Sequence, residues 1–382
     1  MKRLLLFLVI LGLLYSAKPY WEKPVSQYID LDFLEPVDAS IEKVMTSELV
    51  VKTVHFVNDT VKKVTHFFVD DEKEGKPEKV ADRELSQDEK PILTEPVSTH
   101  ISIHNIEIGM PKTTVEASLG RPADASLNEY GTMWHTYHKQ YNQFMMVAYD
   151  EQDDVQALYT NDDLIATTEK VGFNSSKQQV RAQFGEPLTE IKRGLKIYVL
   201  NEDNDFDVFK VDDVYMYVFY DVHREEKVTA MQIVSATTEE QKQDVYAASS
   251  EALQEGFERQ LFHLTNASRV RHQLAPLDWH EHASKTAYRH SVDMAEQNYF
   301  SHQNLQGLSP FDRMREDDIS FRTAGENLAY GQASSIFAHE GLMNSAGHRE
   351  NILQDMYTHL GIGVSFNEEQ QPYFTELFLS PS

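Results

Sequence analysis

The segment MNSAGHRENIL, Met343–Leu353, decides how the C-terminal part of the chain is read. Asn344 and Gly347 are residues that end helices, and the polar run before Ile352 can open the next short element. Between them stands His348, flanked by Gly347 and Arg349, at a break of the kind where a rigid scaffold presents side chains. Two other polar stretches share that character: NYFSH, Asn298–His302, and AGENLAYG, Ala324–Gly331. All three fall at the ends of predicted elements. Together they supply two imidazoles, His302 and His348, and one carboxylate, Glu326.

Working outward, Leu253, Phe257, Leu261 and Leu264 recur at helical spacing and mark one buried stripe. A break at Ala275–Leu277 leads to a second helix, for which Asp278 is the expected cap and along which Ala283, Ala287, His290 and Met294 share a face. His290 therefore reads as a core histidine before it reads as a ligand. A third helix is expected from Ser335 to Asn344, capped by Ser334 or Ser335, and the chain closes with two β-like runs around a turn at Asn367–Gln371. Within YFTELF, Glu376 alternates with apolar residues and so faces either away from the core or into a cleft. Helices followed by a terminal hairpin make an α+β domain.

Upstream lies an internal repeat. The first copy opens IGMPKTTVEASLGRP, Ile108–Pro122, and continues into FMMVAYDEQDDVQALYT, Phe144–Thr160. The second opens VGFNSSKQQVRAQFGEP, Val171–Pro187, and continues into YMYVFYDVHREEKVTAMQIVS, Tyr215–Ser235. Each copy predicts a short helix, capped by Thr113 or by Asn174 and Ser175 and stopped at Gly120 or Gly185, followed by two alternating strands. Two αββ-like units side by side can form one antiparallel sheet with helices on one face. The histidines here are scattered; His135 and His138, at odd spacing on a strand, point to opposite faces and read as solvent-exposed.

The N-terminus has the layout of an export signal, Lys2 and Arg3 before the apolar run Leu4–Tyr15, which is shorter than the roughly 20 residues of a spanning helix. It serves equally as a cleaved signal or an uncleaved anchor, and either one puts the remainder outside the membrane. The charged, aromatic-free stretch around DDEKEGKPEKVADRELSQDEKP reads as a stalk, preceded by a segment with near-helical amphipathic spacing. The expected organisation is thus a signal or anchor at 1–17, an acidic stalk with an amphipathic helix at 18–100, the repeat domain at 101–237, and the α+β domain at 245–382. A formal charge of −26 argues against binding nucleic acid or an anionic membrane surface. The absence of cysteine removes disulfides, thiolate metal sites and cysteine nucleophiles.

The ordered series TNASRVRHQLAPLDW, HSVDMAEQNYFSH, GENLAYG, MNSAGHRENIL and HLGIGV resembles the bacterial branch of the CAP superfamily, which includes cysteine-rich secretory proteins, antigen 5 and plant pathogenesis-related proteins. The repeat domain resembles the CAP-associated N-terminal domain found beside CAP domains in spore-forming Gram-positive bacteria. The resemblance implies an α-β-α sandwich whose open cleft carries two histidines and two acidic residues. By position three of those groups are His302, Glu326 and His348. The fourth falls at Ser345, three residues after Leu342, where other members carry a tryptophan.

Two imidazoles and a carboxylate suit a divalent ion such as Zn²⁺, held by His302 and His348, and they equally suit acid–base chemistry near neutral pH. Tyr330 and Ser345 join these three as expected lining of the ligand site, while Ser301 and Ser345 lack any nucleophile motif. The same side chains also suit structural roles, with the histidines tying loops to helix ends and Glu326 capping a helix or pairing with Arg349. Three functions follow as expectations. The cleft of an extracytoplasmic envelope protein binds a peptide, small molecule or envelope component; or it hydrolyses such material through a metal- or Glu-activated water; or it is vestigial and the repeat domain does the binding.

Overall fold

The computed structural model describes residues 90–382 except 195 and 201–204. The expected export signal and nearly all of the expected stalk lie outside the described residues. Among the described residues no helix is long and apolar enough to cross a membrane.

The repeat region begins with β1 (Ile101–Ile103), α1 (Lys112–Leu119), β2 (Asp124–Leu127), β3 (Met133–Lys139), β4 (Asn142–Tyr149), β5 (Val155–Thr160) and β6 (Ile165–Thr167). It continues with α2 (Lys177–Phe184), the hairpin β7 (Glu190–Arg193) and β8 (Lys196–Val199), then β9 (Phe206–Val211), β10 (Val214–Asp221), β11 (Lys227–Ser235) and α3 (Ala236–Gln241). Seven strands form one antiparallel sheet in the order β2-β3-β4-β5-β11-β10-β9. The two copies are visible in their helix ends: Gly120 and Gly185 close α1 and α2 with φ of 81° and 83°, a conformation that a Cβ would strain. The helix starts differ from expectation. Pro111 precedes α1 without a side-chain cap, and Ser176 caps α2 in a reciprocal box with Gln179, because only a residue one position before the first turn can reach those free N–H groups. To the seven-stranded sheet the first copy supplies four strands and the second three, beyond the two expected of each.

The C-terminal region comprises α4 (Glu251–Arg271), β12 (Asp278–Trp279), α5 (Glu281–Gln297), α6 (Pro310–Glu316), β13 (Phe321–Tyr330), α7 (Ser335–Asn344), α8 (Ala346–Ile352), β14 (His359–Phe366) and β15 (Pro372–Pro381). Its sheet runs β12-β14-β15-β13, antiparallel except for the β12–β14 pair. Side chains alternate across β14. Leu360, Ile362 and Val364 join Phe257 and Leu261 of α4, while Gly361 and Gly363 face α5. A Cβ at Gly363 would sit 2.0 Å from the Tyr288 nitrogen, so α5 lies directly on the strand. Asp278 is a strand residue; the cap of α5 is His280, whose Nδ1 accepts from Ala283 N at 3.0 Å.

One arrangement lay outside the expectation of helices on one face. The repeat sheet is buried on both faces: Val115 and Val180 of α1 and α2 cover one, while Trp134, Phe144, Met146 and Tyr159 on the other pack with Leu264 and Ala267 of α4 and Ile336 of α7. The layers therefore run α1/α2, seven-stranded sheet, α4/α7, four-stranded sheet, α5/α6. His138, read as exposed, stacks on Tyr141 with ring centroids 4.2 Å apart and lies beside His263 of α4, and burial lowers its pKa to about 4.

Candidate functional site

β13 is an edge strand, and the site is built around it. Alternation sends Glu326 and Asn327 to opposite faces. Glu326 meets the loop after α5: His302 Nδ1 lies 2.8 Å from Glu326 Oε1, and Arg313 of α6 donates to Oε2. A carboxylate can only accept, so Nδ1 of His302 carries the proton and the Nε2 of the neutral ring keeps its lone pair. Arg313 also donates to the carbonyls of His302, at 2.7 Å, and Leu308, at 3.2 Å, and so clamps the loop that carries the histidine. The pairing expected between Glu326 and Arg349 does not form. Arg349 reaches across to Asp221 of the repeat region, 3.0 Å away, because α8 lies against β10's end of that sheet.

Asn327 works on the other face. Its amide donates to the His348 carbonyl at 3.1 Å and to Glu376 Oε2 at 3.0 Å, and its oxygen accepts from Asn351 at 2.9 Å. Asn351 also donates to the Glu326 carbonyl at 3.2 Å, so α8 closes over the strand edge. The approach requires Gly325, where a Cβ would stand 2.4 Å from the Tyr357 hydroxyl. His348 is thereby held near enough to His302 for the two rings to repel as cations. Burial first, and that neighbour second, lower the His348 pKa below 6.5, and its Nδ1 is buried without a partner.

His302, Glu326 and His348 thus come together, whereas the remaining candidates are peripheral. The Tyr330 ring lies between Phe300, with centroids 5.9 Å apart, and Tyr373, at 4.3 Å, and its hydroxyl donates to Gln371. Ser345 joins α7 to α8 and makes no side-chain cap. The Ser301 hydroxyl accepts from Gln303 N. His290 is a core residue whose Nε2 bonds the Ser301 carbonyl at 2.9 Å. Glu376 faces the interior and accepts from Thr265 of α4 at 3.0 Å. Phe300 and Asn351 stood within the motifs around His302 and His348 without being singled out themselves, and Arg313 lay outside every motif.

Among the described residues no three His, Cys, Asp or Glu side chains are placed to hold a metal ion together. A metal at this site would therefore have at most two side-chain ligands. Both Glu326 oxygens are committed, to an imidazole and a guanidinium, so the carboxylate orients His302 in the manner of outer-shell partners. The imidazoles of His302 and His348 are what remains to coordinate.

A three-layer α-β-α sandwich with two histidines beside a carboxylate at its open strand edge, joined to a double-repeat sheet, defines the class of protein. Residues 262–378 match the cysteine-rich secretory protein (CAP) family and residues 108–245 the CAP-associated N-terminal domain. The chain belongs to the CAP family, although it has no cysteine. It is 30% identical over 290 residues to a protein of Bacillus subtilis called membrane protein YlbC, covering 71% of this chain and 82% of that one. It is 43% identical to YkwD of the same organism over 128 residues, 34% of this chain and 49% of YkwD. An extracellular protein with an SCP domain from Bacillus anthracis superposes with a TM-score of 0.63 at 25% identity, covering 76% of this chain and 99% of that one. A cysteine-rich secretory protein of Staphylococcus aureus shares the fold, with a TM-score of 0.56 at 15% identity over 71% of this chain and 91% of its own.

Proposed function

We propose that the chain is an extracytoplasmic envelope protein, tethered or released at its N-terminus, whose cleft binds an envelope-derived peptide or small molecule through His302 and His348. The observation that carries this reading is the double engagement of Glu326. With both oxygens already accepting from His302 and Arg313, the carboxylate is a poor base for a water but a good anchor for a ligand-facing imidazole. Phe300, half-exposed, and Tyr330 add an aromatic rim on which a ligand can stack. The extracytoplasmic placement draws on the N-terminal apolar run and on two relatives, one described as an extracellular SCP-domain protein and one as a membrane protein. A divalent ion such as Zn²⁺ at the two imidazoles would supply a Lewis-acidic contact for a ligand carbonyl or carboxylate.

Calorimetric titration of the full chain with muropeptides from digested cell wall, with and without Zn²⁺, tests the reading. Binding should weaken about tenfold or more in His302→Ala and His348→Ala. Equal binding by all three proteins would refute it, and turnover of the peptides that Glu326→Gln abolishes would favour a hydrolase instead.

A further inference from the structure

A cavity of about 370 Å³ lies between the repeat sheet and the turn that joins β13 to α7, away from the histidine site and sharing none of its residues. Volumes of this size suit small ligands. Its walls come from both regions: Tyr130, Tyr217 and Phe219 from the repeat side, and Gln332, Phe337 and Gly341 from the CAP side. Aromatic faces present negative quadrupoles, and one is already used that way. The ammonium of Lys242, itself a lining residue, sits 4.8 Å from the centroid of the Tyr130 ring.

The polar groups fall into two sets. Glu239 is fully buried and satisfied, since it accepts from Tyr130 at 2.8 Å, from Tyr217 at 2.5 Å and from Arg193. Glu129 is not. Only 5% exposed, it lines the cavity with an Oε2 that has no hydrogen-bond partner, and the Gln332 Oε1 on the opposite wall is also buried without one. Both orphans are acceptors, so the missing partner is a donor. Four carboxylates line the space, Glu129, Asp205, Glu239 and Glu340, against Arg193, which Glu239 consumes, and Lys242. Burial raises the pKa of Glu129 against the opposing charge of Lys242, and takes that of Glu340 up to about 7 against those of Arg271 and Arg349.

We propose that this interdomain cavity binds a small organic cation, a protonated primary amine on an aromatic or otherwise apolar body. The ammonium donates to Glu129 Oε2 and Gln332 Oε1, and the body packs among Tyr217, Phe219 and Phe337. The cavity exists only where the two regions meet, so the ligand also bridges them.

Phenethylamine is the probe, titrated calorimetrically into the full chain beside its near-isosteric neutral and anionic counterparts, 2-phenylethanol and 3-phenylpropionate. Saturable binding of the amine, tighter than either counterpart, is expected. Glu129→Gln keeps the shape and should weaken amine binding about tenfold, the worth of one charge-assisted hydrogen bond. Gly341→Leu should abolish it, and thermal melts of that variant should stay near wild type, since a Cβ at Gly341 meets nothing within 4 Å. Absence of saturable amine binding, equal binding of the alcohol, preference for the carboxylate, or full binding by a folded Gly341→Leu would each overturn the proposal.

Discussion

Glu376 shows how a single buried carboxyl supports the site. It is wholly buried on β15 opposite Asn327 of β13, accepts from Thr265 and from Asn327, and through Asn327 fixes the backbone of His348. Burial raises its pKa from 4.5 to about 7. A carboxyl whose folded pKa lies above its unfolded one holds its proton more tightly when folded. Its contribution is therefore fully present below 4.5 and is lost as pH rises through about 7. Glu376→Gln can still accept from Asn327 and can donate to Thr265, so it removes the ionisation while keeping both contacts. Urea unfolding should find the variant stabilised relative to wild type at pH 8, by at most about 3 kcal/mol, and nearly unchanged at pH 4. A constant difference across that range would assign the effect to packing. His302, in contrast, owes its tautomer and aim to partners on two other elements, Glu326 of β13 and Arg313 of α6, and a reading of NYFSH alone contains neither.

At the scale of elements, α4 is the central member. Leu253, Phe257 and Leu261 give it one apolar face toward the four-stranded sheet, and that stripe is plain in the sequence. Its other face is less apolar and still buried: Leu264 and Ala267 pack on the repeat sheet, and Gln260 donates to Ser126 and to the Leu127 carbonyl. Gly256 lets the helix approach that carbonyl so closely that a Cβ would fall 2.1 Å from it. Gly256→Ala should therefore destabilise the protein by about 3 kcal/mol, against the usual gain of about 1 kcal/mol for replacing a helical glycine, as read from denaturant midpoints. A stabilised variant would mean that α4 and β2 part more readily than their contact implies.

Over the whole molecule, the repeat and CAP regions share a core. Trp134, Phe144, Met146 and Tyr159 would be exposed to water if the two separated. Polar contacts fix the orientation of that apolar seam: Tyr159 donates to Glu340 at 2.6 Å, Arg271 to the carbonyls of Asn161 and Thr229 at 2.6 and 2.9 Å, and Arg349 to Asp221. Differential scanning calorimetry should consequently record one transition for the two regions together, with calorimetric and van't Hoff enthalpies in agreement. Two resolved transitions would show that each region carries its own stability.

The sequence by itself determined the main helices, their stops and the terminal hairpin, and it singled out three polar stretches as one candidate site. Gly120 and Gly185 end their helices because local backbone geometry demands it, the stripe of α4 and the terminal hairpin follow from periodicity, and the motifs around His302, Glu326 and His348 are contiguous in the chain. Tertiary structure decided what those residues touch. Glu326 pairs with Arg313 and His302 while Arg349 turns to Asp221, since charge partners are chosen by which loops the sheet edge brings within reach. It also decided the second buried face of the repeat sheet and the cavity beside it. A strand's alternation records that a face is covered; the covering element lies more than a hundred residues away, and only the packed chain identifies it.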